Sequence, residues 1–313
     1  ALASNTTADN NTALGYTALT ANTTGVRNVA IGEGALLSST TASFNTAVGA
    51  LAADAITTGA NNTAIGLQAL TAATTSDNNT AVGFQSLLLN TTGAENTAVG
   101  SLALDANSTG ANNVAMGHGA LSGNTTASNN TAIGMFGLLS NTTGTNNVAV
   151  GTNALNDNTT ASNNTSIGKS SSAANTTGSE NTVVGAVAFD ANTTGSQNTS
   201  VGYGSLSGNT TASNNTAVGY FALLANTTGE KNTAVGSSAG DAITTGDENT
   251  AVGMSSLGAT TTGGQNTAVG QGSLQVNTTA SNNTAVGFSS LNRNTTGTSN
   301  TALGRESLDR SES

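Results

Sequence analysis

Apolar and polar positions recur along this chain with a spacing of 17 residues. The unit reads Asn11-Thr12-Ala13-Leu14-Gly15-Tyr16-Thr17-Ala18-Leu19-Thr20-Ala21-Asn22-Thr23-Thr24-Gly25-Val26-Arg27, here numbered places 1 to 17. Place 1 is Asn and place 5 is Gly in all 18 copies, from Asn11 and Gly15 to Asn300 and Gly304, with no insertion or deletion. Place 4 is Val, Ile or Leu, once Met116, and place 9 is mostly Leu. Places 12 to 14 read Asn-Thr-Thr in most copies, place 15 is small, and places 6 and 7 vary freely. Such a fixed period marks a repeat architecture, in which one thin core is propagated along an axis.

The unit predicts two extended pieces and two turns. Thr-Ala-Val suits a short strand, and Gly at place 5 marks a sharp bend or a close backbone approach. Places 7 to 10, around Leu, read as a second extended piece, and Asn-Thr-Thr-Gly returns the chain. No helix is predicted, because Gly and Asn-Thr-Thr interrupt the 3.6-residue period.

One unit cannot fold alone. It buries two large apolar side chains, worth about 1.5–3 kcal/mol each, against about 1–2 kcal/mol of backbone entropy per residue. Stacking reverses the balance, because each coil then bonds the next at about 4.8 Å and like side chains lie over like. The predicted fold class is all-β: a parallel β-solenoid or β-roll of 18 coils, a single repetitive domain over 1–313, with a more charged terminal segment at 305–313. At about 4.8 Å per coil the rod is on the order of 85 Å long. The ladder is carried by Asn45, Val48 and Gly49, then Asn62, Ile65, Gly66 and Leu70, then Asn79, Val82, Gly83 and Leu87. Two large apolar residues per coil is thin for a lone solenoid. Side-by-side packing follows, with Val expected to line each roll and Leu the shared axis. No polar cap is visible at either end, so a longer parent chain or covering neighbours are expected.

Composition removes most other readings. Aromatics are 3% and charged residues 7%, and Pro, Cys and Trp are absent, which argues against a conventional globular core. The net charge of -10 provides no basic stripe for nucleic acid. No apolar run is long enough to span a membrane, and without cysteine there is no disulfide or thiolate metal site. No catalytic residue, cofactor site or metal site is expected. A catalytic site needs different residues converging at one point, whereas the lone His118 sits at variable place 6 and Asp54, Asp105, Asp190 and Asp241 share place 10 in separate coils. The Thr ladders at places 2, 13 and 14 raise an ice-binding reading, although strand preference and turn hydrogen bonds explain Thr equally. Asn22, Asn78, Asn141, Asn226 and Asn294 begin N-glycosylation sequons, a by-product of the repeat. Tyr16, Phe84, Phe136, Tyr203, Tyr220, Phe221 and Phe288 lie at places 6 and 7 as candidate surface contacts to carbohydrate, without forming a continuous stripe.

The repeat resembles the arrays of bacteriophage tail fibres and related bacterial surface proteins, in which Asn-Thr-Ala-Val-Gly, Ala-Leu and Asn-Thr-Thr-Gly recur in tandem, often ahead of a self-cleaving chaperone of the endosialidase type. It is also similar to the heads of trimeric autotransporter adhesins, whose shorter repeat carries a small–Val/Ile–Gly signature and whose three chains form parallel β-rolls about a common axis. The resemblance covers residues 5 to 308. It departs in the longer unit and in showing no coiled-coil stalk, anchor or chaperone with a catalytic Ser. It implies a structural, non-enzymatic fibre, located extracellularly, on a cell surface or on a virion, with trimerisation following by analogy. The expected partners are the chain itself, as homotrimer or end-to-end filament, and a surface receptor or glycan, with neither nucleic acid nor membrane insertion. The alternatives are a subunit of a self-assembling extracellular filament and an ice- or glycan-binding array.

Overall fold

The computed structural model describes residues 1–308. The chain is an all-β parallel solenoid with one three-residue strand per coil. It divides into two compact units, Ala1–Thr160 and Ala161–Ser313. The first holds β1 (Thr12–Leu14), β2 (Val29–Ile31), β3 (Thr46–Val48), β4 (Thr63–Ile65), β5 (Thr80–Val82), β6 (Thr97–Val99), β7 (Val114–Met116), β8 (Thr131–Ile133) and β9 (Val148–Val150). The second holds β10 (Thr165–Ile167), β11 (Thr182–Val184), β12 (Thr199–Val201), β13 (Thr216–Val218), β14 (Thr233–Val235), β15 (Thr250–Val252), β16 (Thr267–Val269), β17 (Thr284–Val286) and β18 (Thr301–Leu303). Within each unit every strand pairs in parallel with the next, and each residue lies over the one 17 positions on, as Thr46, Ala47 and Val48 over Thr63, Ala64 and Ile65. Of the charged terminal stretch, residues 305–308 are described and 309–313 lie outside the described residues.

The invariant glycine is fixed by its neighbour. Place 5 takes φ between +121° and +153° throughout, a region that L side chains rarely adopt. A Cβ on Gly83 would lie 2.4 Å from the carbonyl oxygen of Gly100 and 2.6 Å from its carbon. The chain turns out of the strand directly against the next coil, and only a residue without a side chain fits.

The second predicted extended piece is absent. Places 7 and 9 take left-handed φ, as Leu51 (55°) and Leu87 (50°) do, so the backbone alternates and turns rather than extends. Left-handed geometry costs L residues about 1–2 kcal/mol each. It is held because the freed N–H groups reach both neighbouring coils. Gln85 N donates to Leu67 O in the coil before (3.0 Å), and Leu87 N to Ala103 O in the coil after (3.0 Å).

The interior is narrow. Ala at place 3, the small residue at place 8 and Leu at place 9 are buried, and each unit has its own core built from them. Leu70 and Leu87 belong to this core, so Leu lines the inside of the coil rather than a shared axis. Two Asn columns close the remaining width. At place 1, the backbone N of Asn62 donates to Asn45 Oδ1 and that of Asn79 to Asn62 Oδ1, both at 2.9 Å. At place 12, Asn107 Nδ2 donates to Asn90 Oδ1 (2.8 Å) and to Gly110 O (3.0 Å), and Asn96 Nδ2 also donates to Gly110 O (2.8 Å). Where place 12 is Asn, the place 15 carbonyl is thereby tied to both columns, which satisfies buried amides that would otherwise be costly.

Where the core changes, it changes in concert. Place 9 loses its Leu at Ala53, Ser172, Phe189 and Gly240; in the Ala53 and Gly240 coils place 12 is Ile56 and Ile243 instead of Asn, whereas the other two keep Asn175 and Asn192. Ile243 Cδ1 lies 3.0 Å from where a Cβ on Gly240 would be, so the isoleucine fills the space left by the leucine. The Asn column breaks there, and Asn226 Oδ1, facing that coil, has no hydrogen-bond partner. Ser at place 3 is likewise matched by Ser at place 8: Ser166 Oγ donates to Ser171 Oγ (2.7 Å), and the Ser200 and Ser205 hydroxyls bond each other.

Candidate functional site

Side chains alternate across a strand, and with Ala inside, Thr at place 2 and Val at place 4 must both point outward. Val48, Ile65 and Val82 form the expected ladder, in register from β3 to β5. They form it on the outer surface: Ile65 is 39% exposed, and at two ends of the series Leu14 is 67% and Leu303 76% exposed. The expectation that Val lines each roll is therefore reversed. Size misleads here: the inner place 3 is mostly Ala, and where it is Val, at Val183, that side chain is buried while Val184 still faces out. Places 2 and 4 carry only Thr, Val, Ile, Leu and Met in the whole chain, so this face has no charge. An uncharged face carrying an exposed ladder of Val, Ile, Leu and Met within each unit is uncommon on a lone soluble molecule.

The aromatic residues separate into three situations. Tyr203 and Tyr220 stack with centroids 5.7 Å apart, and Phe221 packs 4.1 Å from Tyr220 and 5.5 Å from Tyr203. Phe221 covers the bare backbone of Gly204, whose Cβ would meet its ring at 2.4 Å. The same arrangement recurs 85 residues earlier, where Phe136 lies over Gly119 and edge-on to His118 at 5.2 Å. Tyr16 and Phe84 are exposed, with no aromatic partner among the described residues. The Arg305 guanidinium lies 5.4 Å from the Phe288 ring centroid, and the ring lines a cleft described below.

The place 10 carboxylates remain apart. Asp105 accepts from Ser122 (2.6 Å) and Asp190 from Ser207 (2.5 Å), each one coil on. Burial raises the pKa of Asp54 and Asp241, and backbone hydrogen bonds oppose the rise. Asp54 Oδ1 is buried without a partner. Glu248, fully exposed, is shifted down by hydrogen bonds from Gln265 and Lys231 and by the lysine charge. Among the described residues no group of three or more His, Cys, Asp or Glu is placed to hold a metal ion, and no helix is long and apolar enough to cross a membrane.

Two sequence features take a different meaning in three dimensions. The place 13 hydroxyls are consumed by the stack, as Thr193 Oγ1 donates to Thr210 O (3.0 Å) and Thr227 Oγ1 to Thr244 O (3.0 Å). Place 13 Thr are still solvent-exposed in several coils, as Thr91, Thr125 and Thr142 are, but their hydroxyls are already engaged. Of the sequon asparagines, Asn22, Asn141, Asn226 and Asn294 are interior, with Nδ2 bonded to Gly25, Gly144, Gly229 and Gly297 carbonyls, whereas Asn78 is exposed.

No protein-family model matches the chain, and a search of curated proteins finds no match. The fold defines the class: a parallel β-solenoid built on a 17-residue tandem repeat.

Proposed function

We propose that this chain is a structural, non-enzymatic fibre, the shaft or head of a phage tail fibre or cell-surface adhesin, that works outside the cell or on a virion as a homotrimer. The observation that carries this is the uncharged Thr/Val face. With a strand about 10 Å wide and coils about 4.8 Å apart, the nine strands of each unit offer on the order of 430 Å², about half of the ~800 Å² that a stable partner surface takes, and both units carry the face. Another copy of the chain has the matching 17-residue rise, so each Val ridge meets a groove of equal spacing. Burying this face also supplies the apolar area that a single narrow coil lacks. Repetition with variation confined to places 6 and 7 suits a molecule that spans distance and presents an outer surface.

Sedimentation equilibrium tests the reading. We expect a three-chain mass for the native protein and a one-chain mass for Val82→Lys/Val99→Lys/Val218→Lys. A one-chain mass for the native protein rejects side-by-side assembly. End-to-end growth is the second reading, because every coil offers the next the same parallel register, which a further copy would continue. It requires mass that rises with concentration.

A further inference from the structure

Place 7 is occupied by a sizeable side chain in much of the chain, including Leu51, Gln85, Leu102, Phe136 and Phe221. In four successive coils it is not: Ser238, Ser255, Gly272 and Ser289. The missing side chains leave a groove parallel to the stack, between the ridge of place 6 and the ridge of place 10. A cleft of about 250 Å³ lies in it, and a second of about 420 Å³ shares Ser255 and Gln275 and crosses the place 10 ridge at Gly258 onto Ala259 and Val276. Met254 and Phe288 stand at place 6 on either side of Gln271, and Asp241 lines the other end. Asn292 Nδ2 donates to Gln275 Oε1 (3.2 Å) and to Gly272 O (3.1 Å), which holds the place 10 wall.

We propose that this groove binds a short neutral oligosaccharide. The lining alternates apolar faces with uncharged hydroxyl and amide groups. That suits sugar rings, which carry C–H faces and hydroxyls in alternation. The Arg305 guanidinium lies 5.4 Å from the Phe288 ring centroid, and the ring lines the cleft beside Gln271 as its aromatic surface. Asp241 can accept two hydroxyl donors and repels anionic ligands. An extended peptide would need a free strand edge, and the floor offers none: Ser255, Gly272 and Ser289 N–H groups already donate to Ser237, Met254 and Gln271 carbonyls at 2.9–3.0 Å. The span from Ser255 to Ser289 is two coil steps, about 10 Å, enough for about two linked rings.

The test is titration of the full chain with maltotetraose, cellotetraose and chitotetraose, followed by saturation-transfer NMR and calorimetry. We expect at least one to bind and to weaken at least tenfold in Gly272→Leu. That variant fills the groove but keeps the fold, since Leu51 and Leu102 hold the same place with φ of 55° and 56°, and a Cβ on Gly272 meets nothing closer than 3.5 Å. Circular dichroism checks the fold, and Phe288→Tyr should retain binding. No binding by any of the three at millimolar concentration, or binding unchanged in Gly272→Leu, overturns the proposal. Sedimentation mass is read separately, so loss of sugar binding with an intact trimer is distinct from failure of the fibre reading.

Discussion

Two glycines in one coil separate the reasons for glycine in this fold. Gly270 at place 5 has φ +128°, and a Cβ there would sit 2.4 Å from Gly287 O; Gly272 has φ +65° and a free 3.5 Å around its Cβ. Both alanine substitutions remove the same unfolded-state freedom, worth about 0.4–1 kcal/mol in favour of the variant. For Gly272→Ala the left-handed cost of about 1 kcal/mol roughly cancels this gain. For Gly270→Ala the backbone strain is about 1–3 kcal/mol. The clash adds more. Restoring an ordinary contact requires the coils to part by about 1 Å, which stretches Gly287 N to Val269 O (2.8 Å) and Ser289 N to Gln271 O (2.9 Å) beyond bonding. Two lost bonds are worth about 1–3 kcal/mol. We therefore expect Gly270→Ala to lose about 1–6 kcal/mol, and more than Gly272→Ala, in urea unfolding followed by far-UV circular dichroism, and Gly272→Ala to lose less than about 1 kcal/mol. Equal losses at the two sites would refute close coil-to-coil contact as the cause of the invariant glycine.

Ile243→Asn would restore a partner for Asn226 Oδ1, worth about 1 kcal/mol, yet it empties the space beside Gly240, so we expect a net loss of about 2–4 kcal/mol by the same unfolding assay. Asp54 holds its proton more tightly folded than unfolded, because burial raises its pKa. Its penalty is therefore full above the folded pKa and gone below the ordinary carboxylate range. Asp54→Asn should raise the melting temperature at pH 7 and leave it unchanged at pH 3; a gain at both would implicate packing instead. Expressed in a glycosylating host, the chain should carry sugar at Asn78 and none at Asn22 or Asn141, as read by peptide mass spectrometry, because the latter two are interior.

Much of the fold is legible in the sequence because a period survives translation into space. Asn45 and Asn62 had to meet once the coils stacked, and Gly49 had to sit at a bend. The sidedness of Thr-Ala-Val was not legible. Alternation puts Thr46 and Val48 together but leaves open which side is inner, and hydrophobicity favours the wrong one. What decides is the packing of the interior, set by Leu70 and the Asn columns from the other wall. The left-handed turns at Leu51 and Leu87 were hidden for a related reason: leucine has no local preference for that geometry, and bonds to both neighbouring coils impose it. The groove depends on small residues 17 positions apart, Ser238 to Ser289, which look like ordinary variation until place 7 is seen as a ridge. The pairing of Ala53 with Ile56 could have been noticed, since both depart from the repeat in one coil.

The vertical alignment of coils is tested most directly by pulsed electron spin resonance, which the absence of native cysteine makes straightforward. Nitroxides on Glu33→Cys/Ser101→Cys and Glu33→Cys/Met135→Cys, diluted with unlabelled chain, probe place 6 across four and six coil steps of the first unit. We predict separations of about 19 Å and about 29 Å, in the ratio of the steps. Two similar separations, or distances that do not grow with the number of repeats between the labels, would contradict a stack in which each residue lies over its own copy.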